Sequence, residues 1–260
     1  MIENNLNKIF IKYTENYRYV LLSKKLKSAI KKVIYVIATS FNQSSYKLYK
    51  SEAEFSEKAN LKPLKIKLDT GIMNIIGKVD RIDKANINQK DYVRIIDYKS
   101  SSKDVKVKDI EQGIKLQLIT YMQALLNNED VIPAGIMYLD LSDNIISLKP
   151  NKEETLKEET LKRYRLKGIY LSDIENINAM DKYILDKERE KERLVDISKR
   201  TITTSDRLLN LEDFENLFKS VKDTLKEIGN EIYKGISEIR ENENCKYCPY
   251  SSICRKKIKM

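Results

Sequence analysis

The sequence predicts a mixed α/β fold, and three observations carry that prediction. Short segments of alternating apolar residues lie between 64 and 99, amphipathic stretches of three- and four-residue spacing flank them, and an apolar strand-like run recurs at 134–140. The first amphipathic stretch lies in residues 1–55, where Tyr19, Leu22, Leu26, Ile30 and Val33 form an apolar stripe with lysines between them, so helices are expected there. Leu64, Ile66 and Leu68 then alternate with lysines, and Asp69, Thr70 and Gly71 make a hairpin turn into a second strand over 72–83. A polar turn at 86–90 leads into a third strand at 92–99. Side chains in a strand alternate between faces, so Asp97 and Lys99 project together, with Val93 and Ile95.

A serine- and lysine-rich loop at 100–108 precedes a helix predicted over 109–127, with Ile114, Leu118, Tyr121 and Leu125 on one face. Gln117 and Tyr121, four apart, are neighbours on that helix and able to reach one cleft. Residues 134–140 read as the next strand and 144–148 as its partner. In the second half, Leu211, Phe214, Phe218, Val221, Leu225, Ile228 and Ile232 predict a long helix packed on the core. The charged run 186–200 reads as a solvated helix or loop, and 168–171 as a connection between helical segments with no chemistry of its own. The expected organisation is a single domain over 1–260: N-terminal helices to 55, an α/β core over 60–148, a helical insert and long helix over 150–240, and a cysteine tail over 241–260.

With 260 residues and 41% hydrophobic content, the chain can bury one core with a helical appendage. The 49 basic and 39 acidic side chains leave a net charge of +10, which fits either a polyanionic partner or a solvated lysine-rich surface. No run of 18 apolar residues and no signal-peptide core occur, so a soluble cytoplasmic protein is expected. The seven glycines never form a phosphate-cradling fingerprint, which argues against nucleoside triphosphate hydrolysis. All three cysteines, Cys245, Cys248 and Cys254, fall in the last sixteen residues. Clustered thiols without a secretory signal point to soft-metal ligation, by zinc or an iron–sulfur cluster, rather than to disulfides; three structural cysteines without metal are the other reading. A fourth ligand cannot be an imidazole of this chain, which has no histidine; a cysteine on a segment outside this sequence, an Asp or Glu, or an exogenous ligand would complete the site.

The strongest signal is an ordered set: Gly77, Lys78, Val79 and Asp80, then Asp97, Tyr98 and Lys99 seventeen residues past that aspartate, then Gln117 and Tyr121. Cutting a phosphodiester needs carboxylates to hold a divalent cation and a lysine to orient water or offset phosphate charge. The combination therefore predicts a metal-dependent DNA nuclease. The structural alternatives are an Asp80 paired with Arg81 and a Tyr121 that merely fills the core. Asp83 is expected to be structural.

These motifs, together with Leu116-Gln117-Leu118, residues 131–135 and the cysteine tail, resemble the PD-(D/E)XK nuclease superfamily. Within it, the resemblance is to the C-terminal nuclease domain of the B subunit of bacterial ATP-dependent helicase–nucleases (the AddB/RexB type), over most of the chain. It implies a restriction-endonuclease-like core, a central mixed sheet flanked by helices, with a helical C-terminal half. It also implies Mg²⁺ or Mn²⁺ on Asp80, Asp97 and the Tyr98 carbonyl, with Lys99 at the hydrolytic water or scissile phosphate. Gln117 and Tyr121 would orient Lys99 or contact the DNA backbone. The implied activity is that of a deoxyribonuclease, an exonuclease trimming a single strand delivered by the helicase–nuclease A subunit in double-strand break repair and recombination. In the family, the cysteine tail joins one upstream cysteine to hold a 4Fe–4S cluster, and an upstream histidine helps bind the catalytic metal. This chain has neither group, so they are expected before residue 1, as in a fragment, a truncated gene or a degenerate copy. A non-catalytic DNA-binding or scaffold remnant and a free-standing exonuclease are the alternative readings.

Overall fold

The computed structural model describes residues 17–101, 104–142, 153–198, 202, 206–236, 245, 248–250 and 252–254. The order is α1 (Tyr17–Gln43), β1 (Lys47–Phe55), β2 (Leu64–Lys67), β3 (Ile72–Ile75), β4 (Gly77–Ile87), β5 (Lys90–Lys99), α2 (Val107–Glu111), α3 (Gln117–Leu126), β6 (Ile132–Asp140), α4 (Glu153–Arg163), β7 (Lys167–Leu171), α5 (Ile174–Met180), β8 (Leu208–Leu209) and α6 (Leu211–Lys234). Six strands form one mixed sheet in the order β1-β4-β5-β6-β7-β8, and β2 and β3 form a separate hairpin. The β1–β4, β4–β5 and β6–β7 pairs are antiparallel; β5–β6 and β7–β8 are parallel. The parallel β5–β6 step requires a crossover, which α2 and α3 supply.

Several elements differ from the sequence expectation, each for a local reason. The helical reading of residues 1–55 gives way at Lys47 to the edge strand β1. Its alternation is disguised because the register shifts between Leu48 and Lys50 and Glu52 has a left-handed φ of 53°. Within α1, the buried residues are Val36, Ser40 and Gln43, near the C-terminal end, whereas Leu22 and Leu26 of the expected stripe are exposed. The strand expected over 72–83 breaks at Ile76, so β3 pairs with β2 and β4 enters the main sheet. The β4–β5 turn places Asn88 and Gln89 at φ 50° and 64°, the two left-handed positions of a two-residue hairpin loop.

The helix expected over 109–127 is two helices. Gly113, at φ 71°, ends α2: the amides of Gly113 and Ile114 donate to the Ile110 and Asp109 carbonyls at 2.8 and 2.9 Å. Ile114 is consequently exposed rather than aligned with buried Leu118 and Leu125, and Gln117 becomes the first residue of α3. Residues 168–171 belong to the strand β7 rather than to a connection between helices. Gly168 is required there, because a Cβ would lie 1.9 Å from the Ile136 carbonyl oxygen on β6. The charged run at 186–200 contains a 3₁₀ turn, but Leu194, Val195 and Ile197 within it are core residues. The strand expected at 144–148 lies outside the described residues.

The long helix α6 begins with a reciprocal capping box between Asn210 and Asp213 and ends at left-handed Gly235. Phe214, Leu217, Phe218 and Val221 are buried, while Leu211 and Ile232, at the two ends of the expected stripe, are exposed. The second half of the chain thus contributes β7 and β8 to the sheet as well as helices.

The two faces of the sheet have different chemistry. Arg81 on β4 stacks its guanidinium over Phe41 of α1, 4.8 Å from the ring centroid, so α1 covers the Arg81 face. That face also buries Asp83, which accepts from Arg81 Nε and Nη2 at 2.6 and 2.8 Å and from Arg94 Nε at 3.0 Å. Asp80, next to Arg81, therefore projects to the opposite face.

Candidate active site

The β4–β5 ladder runs from the Ile87–Lys90 pair to the Arg81–Ile96 pair. Beyond it, the Asp80 carboxylate takes over: its Oδ2 accepts the Tyr98 backbone N–H at 2.8 Å. This bond ties Asp80 to the peptide joining Asp97 and Tyr98, bringing residues of two strands to one end of the sheet. Arg81 is occupied by Asp83, so the alternative reading of Asp80 as its ion-pair partner does not hold.

Asp97 and Lys99 lie on one face of β5, as strand alternation requires. Asp97 is only 4% exposed. Its Oδ2 is occluded from solvent and has no hydrogen bond of good geometry; its contact is an ion pair with the Lys99 ammonium at 2.6 Å. Gln117 links the remaining groups from α3. Its Nε2 donates to Asp97 Oδ1 and to the Tyr121 hydroxyl, and its Oε1 accepts from Lys99 Nζ, all at 3.4 Å. Four sequence-predicted residues, Asp97, Lys99, Gln117 and Tyr121, are thus joined directly, and Asp80 joins through the Tyr98 amide.

Tyr121 is fixed from below by Gly77 and from the side by Phe55. A Cβ on Gly77 would meet Tyr121 Cε1 at 2.5 Å, and the Phe55 and Tyr121 rings stack with centroids 6.3 Å apart. The glycine that opens the Gly77–Asp80 motif therefore makes room for the tyrosine that closes the site. Gly77→Ala is expected to displace the Tyr121 ring and destabilise the fold by about 1–3 kcal/mol, the range for forced overpacking. A urea titration compared with Tyr121→Ala/Gly77→Ala tests this: the loss from the alanine at 77 should largely disappear once the ring is gone.

Burial raises the Asp97 carboxyl above the ordinary aspartate range, the Lys99 ammonium pulls it down, and the Asp80 charge pushes it up again. Tyr138, opposite Asp97 in the parallel β5–β6 ladder, has its hydroxyl pushed up to about 12 by burial and by the Asp97 charge. The Lys99 ammonium lies over the Tyr138 ring, 5.4 Å from its centroid. Sequence reading missed Tyr138 and Phe55, because only tertiary pairing brings β6 and β1 to these positions. A faint signal was present for Tyr138: it lies on the apolar run 134–140, next to β5 in a βαβ arrangement.

The donor set fits a hard divalent cation. Two carboxylates, one with an occluded oxygen lacking a well-aligned donor, suit Mg²⁺ or Mn²⁺, which take a few carboxylates and fill other positions with water and phosphate. The cysteine tail fits a cluster less well. Cys248 donates its amide to the Cys245 carbonyl at 3.1 Å, and none of the three thiols is disulfide-bonded. Among the described residues, however, no three Cys, His, Asp or Glu side chains are gathered to hold a metal. Three sulfurs do not by themselves complete a four-sulfur site. Among the described residues, no helix is long and apolar enough to cross a membrane.

Comparison with known proteins gives a family match over nearly the whole chain. The model of the family described as the PD-(D/E)XK nuclease superfamily matches residues 5–255. Similar curated proteins are each named as the B subunit of an ATP-dependent helicase/deoxyribonuclease. That of Thermoanaerobacter sp. (strain X514) is 36% identical over 256 residues, covering 92% of this chain and 22% of the relative. That of Clostridium novyi (strain NT) is 34% identical over 261 residues, covering 93% and 22%. That of Clostridioides difficile (strain 630) is 30% identical over 257 residues, again covering 93% and 22%. The chain therefore spans less than a quarter of the length of these relatives.

Proposed function

We propose that this chain, which belongs to the PD-(D/E)XK nuclease superfamily, hydrolyses DNA phosphodiesters in a metal-dependent reaction, as the nuclease module of a helicase–nuclease. The observation that carries this reading is the single constellation of Asp80, Asp97, Lys99, Gln117 and Tyr121 at one end of the sheet.

Asp80 and Asp97 would hold Mg²⁺ or Mn²⁺, with the Tyr98 carbonyl as a further oxygen donor. When bound there, the cation supplies Lewis acidity and lowers the pKa of a coordinated water. The protein does the rest by position and charge. Lys99 places a cation where negative charge accumulates on the scissile phosphate. Gln117 keeps Asp97, Lys99 and Tyr121 in register through its two-sided amide, with contacts of 3.4 Å to each. Tyr121, packed on Phe55 and Gly77, gives this assembly a rigid wall.

The net charge of +10 supports a DNA substrate, and the names of the relatives support both deoxyribonuclease chemistry and a helicase partner, the A subunit. We take the substrate to be a single strand trimmed exonucleolytically, in double-strand break repair and recombination.

The test is cleavage of end-labelled single-stranded DNA with Mg²⁺ or Mn²⁺, beside EDTA and Lys99→Ala. Cleavage should need the metal and fall roughly 10²–10³-fold in the variant, the usual loss when one transition-state charge partner is removed. A folded protein that binds DNA in a salt-dependent way but never cuts it would instead be a DNA-binding remnant of such a nuclease.

A further inference from the structure

We infer that Tyr138 is a positioning residue whose ring face holds the Lys99 ammonium over the active site. The inference rests on the nuclease reading and deepens it. Tyr138 lies on β6, in register with Asp97 across the parallel β5–β6 ladder, and paired residues of neighbouring strands share a face. Lys99 is two residues beyond Asp97 on that face, and its Nζ is 5.4 Å from the Tyr138 ring centroid, within the range of a cation–π contact. The tyrosine is only 6% exposed, so the ring is held in the protein rather than free in solvent and can serve as a platform. Lys99, with a side chain 29% exposed, has a long stem that needs such a platform to stay in place.

The physical need arises from a conflict within the site. The ammonium's closest partner is Asp97 Oδ2, yet that carboxylate is also the oxygen donor suited to a divalent cation. A carboxylate engaged with a dication offers much less charge to a lysine, so the ammonium needs a second holder. Gln117 Oε1 supplies a loose one at 3.4 Å. An aromatic face is well suited to be the other: it attracts the ammonium through the ring quadrupole but offers no lone pair to compete for the metal or to repel a phosphate. On this account the ring is required and the hydroxyl is not.

The experiment compares Tyr138→Phe, Tyr138→Leu and a series of progressively fluorinated phenylalanines at 138, which keep the packing volume while draining the ring face of negative charge. Tyr138→Phe should cut within about twofold of the unaltered chain, and Tyr138→Leu roughly three- to thirty-fold slower in kcat with KM little changed. Within the fluorinated series kcat should fall stepwise. A second readout is independent of activity: in NMR, the ε-methylene protons of Lys99 should carry an upfield ring-current shift that persists in Tyr138→Phe and vanishes in Tyr138→Leu. Equal loss in the Phe and Leu variants, a flat fluorinated series, or a Lys99 signal unchanged by Tyr138→Leu would each overturn the inference. A protein that shows the shift but cuts no DNA under any metal would support the contact and remove the nuclease reading, so the two failures are distinguishable.

Discussion

Asp97→Asn is expected to remove metal-dependent cleavage by about 10²-fold or more while leaving the fold at least as stable at neutral pH. The loss follows from chemistry, since an amide cannot provide the negative oxygen that a divalent cation requires. The stability expectation follows from burial, which dominates the upward shift of the Asp97 carboxyl despite the opposing pull of Lys99. A carboxyl whose folded pKa lies above its unfolded value binds a proton more tightly in the folded state. Its contribution to stability is therefore fullest at low pH and is lost as pH rises from the ordinary carboxylate value, about 3.9, through the raised folded one. At pH 7 the ionised group is a burden that asparagine lacks. The difference in Tm between Asp97→Asn and the unaltered chain should be zero or positive at pH 7 and should shrink on acidification. A variant that still cuts with Mg²⁺ would end the assignment of Asp97, and one markedly less stable at pH 7 would show that the Lys99 ion pair outweighs burial.

Asp83→Ala should have the opposite signature, with a large loss of stability that precedes any question of activity. Asp83 is fully buried and is the shared anion of Arg81 and Arg94. Removing it leaves two guanidinium groups inside the protein without their counter-charge. Breaking a buried ion pair in this way costs about 3–5 kcal/mol, a large part of the margin of a typical domain. A urea titration should show the midpoint collapse. Asp83→Ala/Arg94→Leu, which removes one of the stranded charges, should recover part of the loss; Arg81 stays over Phe41. A single variant as stable as the unaltered chain would mean that the guanidiniums find other partners. The two neighbouring aspartates are thus expected to do different work: Asp97 in the proposed chemistry, at the expense of stability, and Asp83 in the fold.

Much of the site was legible along the chain because its key signals are local. The Asp97 and Lys99 alternation is a property of any strand, and the four-residue spacing of Gln117 and Tyr121 is a property of any helix. Even with the predicted helix broken at Gly113, Gln117 and Tyr121 remained together on α3, since the break falls before both. The edge strand β1 was not legible, because a register shift and a left-handed Glu52 interrupt its period. Nor was β7, whose Gly168 reads as a loop residue until the Ile136 carbonyl is found against it. The core residues at 194–197 were hidden by the surrounding charges, which dominate composition but not burial.

The sequence by itself determined the mixed α/β class, the chemical types at the site, and the faces of strand and helix on which they stand. All of these follow from periodicities of two and 3.6 residues. Only the tertiary structure decided which of those faces meet: Asp80 with the Tyr98 amide across an antiparallel pair, Gly77 under Tyr121, and Tyr138 beside Lys99 across a parallel ladder. Those meetings depend on strand register and on helix-to-sheet packing between segments up to about forty-five residues apart, and no local pattern encodes them.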